Sequence, residues 1–426
     1  MKIYDPLYGP FTVPPYLAQL LMTPEVRRLS QIRLLNALSP SLAALGEVRR
    51  YSHTLGVLYL CHRVHTLGYS LDERKALVAS VLLHDIGTPP FAHLFEYHLR
   101  DRTGWTHEGI IKSVLWGFHA PENRAHQFFA GQTIEFRHAL ERLGIVVELV
   151  EQIVSEAHPL SKLLFGSIDL DNLDNVARMA WALGLERAST CAVDIATLMS
   201  VGRDGSLRLR RDVGAAPVEH WATLRSAIYD ILVSDPPTVA AQAVLSEAIG
   251  IGICDGVLGD DDWSLTDEQL LDTLRAHHGT KDLITREYLG RLPAMAFCVQ
   301  VNGTLTSLGL VDRKTSKQKI EDVLRDSFPR EPVLGYVFID KGTFAKRLEF
   351  FDPENRDEWA SGQTSSSVLF YGFVRSSRAP RAPQCRRAID SLVEMLGVSP
   401  SAVTRAIVAP GQTDEHAQPS FDIASP

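Results

Sequence analysis

The chain has 426 residues, a formal net charge of −8 and a pI near 6.0, with 45% hydrophobic residues, 22% charged residues and a mean hydropathy of −0.02. That balance excludes a disordered or membrane-embedded chain and removes any global attraction to nucleic acid or anionic lipid, so phosphate affinity has to come from local clusters. Five cysteines (Cys61, Cys191, Cys254, Cys298 and Cys385), an odd number without CxxC spacing, argue against a disulfide framework or a thiolate zinc site and fit a reducing compartment.

The opening "MKIYDPLYGPFTVPP" lacks the apolar run of a signal peptide. No segment reads as the roughly 20 uncharged apolar residues that a bilayer span needs. The expectation is a cytoplasmic protein with no membrane association and no nucleic-acid partner. From Pro24 to about Gly250 apolar residues recur at helical spacing, as in "PEVRRLSQIRLLNAL", "HTLGVLYLCHRVHTL" and "ERKALVASVLLHD". A short loop near Gly166 leads into another helix, and Pro236 and Pro237 divide two more.

After about Arg286 the texture changes. "AMAFCVQV", "EPVLGYVFI", "KRLEFF" and "SSSVLFYGFV" are short β-branched and aromatic runs between turn residues. "SSRAPRAPQCRR" reads as a linker. The sequence therefore predicts a mainly α protein: a helical bundle over residues 1–250, a mixed α/β module over 251–385, a short helix within 386–409 and a flexible tail over 410–426.

The chemistry concentrates where the apolar run of "LLHDIGTPPFAH" stops at His84 and Asp85 and Gly87, Pro89 and Pro90 break the helix. On a regular helix adjacent side chains point about 100° apart, but at a helix end both can converge on one ion. Burying this pair without partners would cost several kcal/mol. Upstream, "RRYSHTLGVLYL" places His53 at the start of an apolar helix, and downstream "SIDLDNLDN" supplies Asp169, Asp171 and Asp174. Two imidazoles and two carboxylates form a mixed N/O set suited to Mn, Fe, Co, Ni or Zn, with Mg less favoured.

The ordered set His53, His84-Asp85, Asp171 resembles the H…HD…D signature of HD-domain metal-dependent phosphohydrolases. "IYDPLYGPFTVPP", "TPEVRRLSQIRLL", "THEGI" and "GSIDLDNLDNVARMAWALG" narrow the resemblance to its deoxynucleoside triphosphate triphosphohydrolase branch. The resemblance implies an HD-domain bundle, a divalent metal held by His53, His84, Asp85 and Asp171, with Asp169 the nearest rival to Asp171, and a nucleotide substrate. Arg50 would contact substrate phosphate, and His93, His107 and Glu108 would assist proton transfer, Glu108 by orienting His107. It also implies a homo-oligomer.

The pattern has departures. Thr88 replaces a histidine of "HDxGHGPFxH", and Asn175 and Met179 stand where relatives carry a tyrosine and an acid that select the sugar. Leu245 and Ser246 stand where a His-Lys pair would hold the phosphate tail, and Tyr8 replaces a histidine of "DPIHG". A triphosphate would then need other cations, such as Arg178 or Arg225, so triphosphate hydrolysis is the reference reading, followed by monophosphate hydrolysis and by a nucleotide sensor that has lost turnover.

Overall fold

The computed structural model describes residues 1–116, 135–185, 188–342, 346–375 and 379–408. Two compact units emerge: Met1–Leu292 together with Gly342–Ser365, and Pro293–Lys341 together with the chain from Ser366.

The first unit is the helical bundle. Its centre is the helix Leu170–Ala182, which packs on Arg50–Cys61, Ala188–Leu198 and Arg211–Ser234, while Leu71–Leu83 lies on Arg50–Cys61. Leu71–Leu83 starts at a capping box, in which the Glu73 N–H donates to Ser70 Oγ at 3.2 Å and the Ser70 N–H donates back to Glu73 Oε2 at 2.7 Å. From Ala76 to Leu83 every residue of this helix is buried, which explains an apolar run broken only by Ser80, whose hydroxyl donates to the Ala76 carbonyl at 2.9 Å.

The first of the two helices divided by Pro236 and Pro237 runs over Arg211–Ser234 and holds Pro217 inside it. Asp235 then caps Pro236–Cys254 by accepting the Thr238 N–H at 2.9 Å. That 19-residue helix is long and apolar enough to cross a membrane by length and composition, yet 56% of its most apolar window is buried inside the protein, as for a core helix.

The first unit extends to Leu292, beyond the expected boundary at 250, because helices Asp267–Ala276 and Lys281–Tyr288 pack on Pro236–Cys254. The predicted strand "KRLEFF" also belongs here. Leu348–Asp352 and Asp357–Ser361 form a hairpin that continues a sheet with Ser200–Val201 and Leu207–Arg208. The Trp359 indole stacks on Phe350 and donates to the Leu209 carbonyl at 2.9 Å.

The second unit is an antiparallel sheet in the order Val403–Val408, Ala294–Asn302, Ser366–Val374, Val333–Lys341, with helices Arg313–Ser327 and Ala382–Leu396 packed on it. Phe297, Val299, Val301, Val368 and Phe370 meet Ile320, Leu324, Cys385 and Leu392 in its core. The expected short helix within 386–409 is corrected to a helix over Ala382–Leu396 followed by a strand over Val403–Val408, whose β-branched "VTRAIV" pairs along the open edge of Ala294–Asn302. The linker reading of "SSRAPRAPQCRR" is shortened because its second half forms that helix. The tail 410–426 lies outside the described residues.

Candidate metal centre

Three chain stretches build the site. His53 lies one turn into Arg50–Cys61, and Asp171 lies in the first turn of Leu170–Ala182. These helices cross at Gly56, where a Cβ would overlap the Asp174 carboxylate and the Arg178 guanidinium. His84 follows the last turn of Leu71–Leu83. There the chain turns tightly, with the Ile86 N–H on the Leu83 carbonyl at 3.1 Å and the Thr88 N–H on the Asp85 carbonyl at 2.9 Å. Gly87 admits the His107 backbone, whose carbonyl oxygen would stand 2.5 Å from a Cβ.

This turn is fixed from behind by charged groups outside the ligand set. The buried Arg28 guanidinium donates to the carbonyls of Ile86, Thr88, Trp263, Ser264 and Leu265 at 3.2, 2.8, 2.6, 2.8 and 3.0 Å. Asp267 accepts the Phe91 N–H at 3.0 Å and the Arg33 N–H at 2.7 Å. Phe91 and Ala92 have left-handed φ of 52° and 51°, a conformation disfavoured for residues with a Cβ. These bonds help offset that strain and lead the chain into the helix His93–Thr103.

Ligand atoms of His53, His84 and Asp171 all lie within 4.8 Å of one another. His53 Nε2 is 2.8 Å from Asp171 Oδ1, and on the other side of the ring Nδ1 is 2.7 Å from Asp174 Oδ2. His84 Nδ1 faces the Val81 carbonyl at 2.6 Å, an acceptor only, so Nδ1 carries a proton and Nε2 is the ring nitrogen turned toward the centre. That Nε2 is buried without a hydrogen-bond partner and stands 3.8 Å from Asp85 Oδ2 and 3.9 Å from Asp171 Oδ1. An unpartnered ring nitrogen and two carboxylates converge there on one point that a divalent ion would fill. The donor set and the orphaned nitrogen therefore fit a divalent ion.

Electrostatics separates the aspartates. Burial would raise the Asp85 and Asp171 carboxyls. Arg50, His84 and His53 hold Asp85 well below the usual carboxylate range, and His53 holds Asp171 down. Asp169 instead is pushed up to about 7 by burial and by Asp171. Both its oxygens accept from Asn172, including a cap on the backbone N–H at 2.7 Å. Between the two rivals, Asp171 faces the histidines and Asp169 caps the helix. Against burial, which alone would lower it, hydrogen bonds with Asp171 and Asp174 raise the His53 imidazole to about 10.

Arg50 reaches the site, but its Nη1 donates to both Asp85 oxygens at 2.7 and 2.8 Å. Its Nε is buried without a partner. His93 and His107 converge on one carboxylate that sequence reasoning missed: Glu96, buried in His93–Thr103, lies 2.8 Å from His93 Nδ1 and 3.2 Å from His107 Nδ1 and also pairs with Arg100. Burial would raise Glu96, but hydrogen bonds from His107 and His93 hold it well below its usual range. The spacing "HLFE", with an acid three residues after His93 on the same helical face, was the available signal. The side chain of Glu108, expected to orient His107, lies outside the described residues.

The substituted positions have local roles. Thr88 Oγ1 donates to Asp85 Oδ1 at 3.0 Å. Leu245 is fully buried, and Ser246 Oγ meets His98 Nε2 at 2.9 Å. Met179 is buried, whereas Asn175 keeps a buried Oδ1 with no hydrogen-bond partner. Tyr8 stacks on Tyr59 at 4.7 Å, with the Arg178 guanidinium 5.8 Å from its ring.

Arg178, expected among the cations for phosphate, is corrected. It is buried and donates to Asp174 at 2.9 and 3.0 Å and to Asp5 at 3.1 Å. Arg225 is differently placed and donates to Asn172 Oδ1 at 3.0 Å.

No family model matches the chain. It is 33% identical over 118 residues to the human deoxynucleoside triphosphate triphosphohydrolase SAMHD1, a match covering 25% of this chain and 19% of that protein. Over 238 residues it is 24% identical to YwfO of Bacillus subtilis, an uncharacterized protein, covering 54% of this chain and 50% of that one. The matched stretch thus spans half or less of each of these relatives. The fold resembles a crystal structure of a phosphohydrolase from Bacteroides thetaiotaomicron with a TM-score of 0.61 at 17% identity, covering 87% of this chain and 99% of that one. In its helical fold, its ordered His…His-Asp…Asp motif and these partial matches, the chain is similar to HD-domain phosphohydrolases.

Proposed function

We propose that the protein is a divalent-metal-dependent phosphohydrolase of nucleotides, with a (deoxy)nucleoside triphosphate as its reference substrate. The observation that carries this reading is the convergence of His53, His84 and Asp171 around an unpartnered, buried His84 Nε2. The bound ion would be held by these groups and by Asp85, and it supplies Lewis acidity and a lowered water pKa.

The chain's own residues would do the rest. Asp174 and the Val81 carbonyl fix the two ligand rings so that each Nε2 faces the centre. Glu96 holds His93 and His107 by Nδ1 and so would orient these two rings, the candidates to hold or deliver a proton at the leaving oxygen. Asn175 Oδ1, an acceptor without a partner, fits a sugar hydroxyl.

A second reading, a nucleoside monophosphate phosphatase, is favoured by the burial of Leu245 and by the commitment of Arg178 to Asp174 and Asp5, which removes cations expected for a phosphate tail. A cytoplasmic location and a homo-oligomer belong to the same proposal, on composition and family resemblance. Light scattering of the purified protein checks the assembly.

The test is to load the protein in turn with Mn²⁺, Fe²⁺, Co²⁺, Ni²⁺, Zn²⁺ and Mg²⁺ and offer dNTPs, NTPs and NMPs. Release of tripolyphosphate identifies the reference activity, and release of orthophosphate from NMPs alone identifies the second. Nucleotide-dependent thermal stabilisation without release under any metal would identify a sensor instead.

A further inference from the structure

A fully buried carboxylate stands behind two arms of the candidate site. Asp267 opens the helix Asp267–Ala276, where a capping box fixes it: Thr266 Oγ1 accepts the Gln269 N–H at 3.3 Å, and the Thr266 N–H donates to Gln269 Oε1 at 2.9 Å. Its two oxygens face different stretches of the chain. Oδ2 accepts the Arg33 N–H at 2.7 Å, with guanidinium nitrogens of Arg33 and Arg49 at 3.4 and 3.9 Å. Arg33 bridges to Arg49, and on either side of that bridge the Leu34 N–H donates to the Val48 carbonyl and the Arg50 N–H to the Ile32 carbonyl, each at 2.9 Å. This oxygen anchors the strip from which the helix Arg50–Cys61 starts, and with it Arg50 and His53.

Oδ1 accepts the Phe91 N–H at 3.0 Å, across 176 positions of sequence. Phe91 and Ala92 both have positive φ, and Ala92, with φ of 51° and ψ of −127°, occupies the cap position of the helix His93–Thr103 without any side-chain cap. A residue with a Cβ keeps such a conformation only where its surroundings impose it. The next residue is His93, whose ring shares Glu96 with that of His107. A rotation at Phe91 or Ala92 would swing this pair of rings relative to the metal ligands.

We propose that Asp267 is a positioning residue: it sets the separation between the metal ligands, reached through Arg33 and Arg50, and the proton-transfer histidines, reached through Phe91. The inference rests on the phosphohydrolase reading and adds a group that governs turnover while touching neither metal nor substrate. Misplacing reacting groups by about 1 Å costs about 100-fold in rate, so a hydrogen bond remote from the substrate is enough to decide kcat.

Asp267→Asn keeps the shape and one acceptor oxygen and removes the charge paired with Arg33. In the full-length, metal-loaded protein kcat for the best nucleotide is expected to fall about 10- to 100-fold, with KM and metal content close to wild type. Hydrogen exchange should quicken in residues 31–35 and 86–97 and stay unchanged in the other helices of the unit. Ala92→Gly accepts positive φ without a Cβ penalty, so adding it to Asp267→Asn should recover part of the lost kcat, which a general loss of stability would not allow. Thr266→Val removes the cap and leaves the carboxylate; it should give the same pattern at a smaller factor, and it decides the matter if Asp267→Asn does not fold.

Wild-type kcat and exchange in the variants would overturn the proposal. Faster exchange throughout the unit with no recovery from Ala92→Gly would overturn it too, since Asp267 would then only hold the fold, as would loss of metal. If the wild type hydrolyses no nucleotide under any metal, the nucleotide reading falls by itself. Exchange quickened in those two segments alone would still uphold the link through Asp267, and unchanged exchange would sink it.

Discussion

His53 Nδ1 lies 2.7 Å from Asp174 Oδ2, on the face of the ring opposite Asp171. The carboxylate that orients the ring is therefore one helical turn beyond the carboxylate that shares its other nitrogen. Asp174 is itself held by Arg178, and Arg178 by Asp5, so a buried chain of charges runs from Asp5, at the end of the strand Lys2–Asp5 that pairs with Gly9–Thr12, to the candidate ion.

Asp174→Asn keeps the shape of this support and removes its charge. Metal affinity is expected to fall about 10- to 100-fold, as for other groups that orient a ligand histidine. Competitive titration with a metal chelator measures it, and wild-type affinity in the variant would show that His53 needs no such support.

Gly56→Ala inserts a methyl group where the Asp174 carboxylate and the Arg178 guanidinium pass. Neither can retreat without breaking its ion pair. We expect a loss of about 1–3 kcal/mol in denaturant unfolding, together with weakened metal binding. An unchanged unfolding midpoint would mean that the helix crossing can widen freely.

Glu96→Gln removes the charge between His93 and His107 and leaves the metal ligands untouched. Turnover of the best substrate is expected to drop about 10²- to 10⁴-fold at unchanged metal content. The discriminating readout is the pH–rate profile, which should lose or shift one limb. A variant with the wild-type profile would reduce Glu96 to a packing role.

Glu287 is a buried carboxyl whose two oxygens have no hydrogen-bond partner, and burial pushes its pKa from 4.5 up to about 7, against Arg33 and Arg275. In the unfolded chain it ionises near its ordinary value of 4.5. Between those two pH values the folded state holds more protons, so its contribution is full below about pH 4.5 and is lost as pH rises through 7. Glu287→Gln is expected to remove that share of the pH slope and to be more stable than wild type at pH 8, by an order of 2–3 kcal/mol. Thermal unfolding of both proteins from pH 5 to 8 checks the sign.

Much of the architecture was written in local patterns. The apolar run before His84, broken only by Ser80, marked a helix buried on every side, and Gly87, Pro89 and Pro90 marked its end. The aromatic and β-branched runs after Arg286 marked strands because their side chains suit a pleated, half-buried surface. The sequence by itself also determined which residue types stand near one another at a helix end, and hence that His53, His84, Asp85 and an aspartate of "SIDLDNLDN" were the groups to watch.

Which partner each charge takes was decided only by the tertiary structure, because a carboxylate's role depends on what lies across a helix interface and not on its neighbours in the chain. Asp169, Asp171 and Asp174 are alike in the sequence, but crossing at Gly56 makes them respectively a cap, a group facing the candidate ion and a support. Arg178 and Arg225 look equally available until one is buried against Asp174 and Asp5 and the other donates to Asn172. The strand Leu348–Asp352 leaves the second unit and pairs with Leu207–Arg208 of the first, more than a hundred residues earlier in the chain. No local pattern encodes such a return; it is set by which sheet edge remained open to receive it.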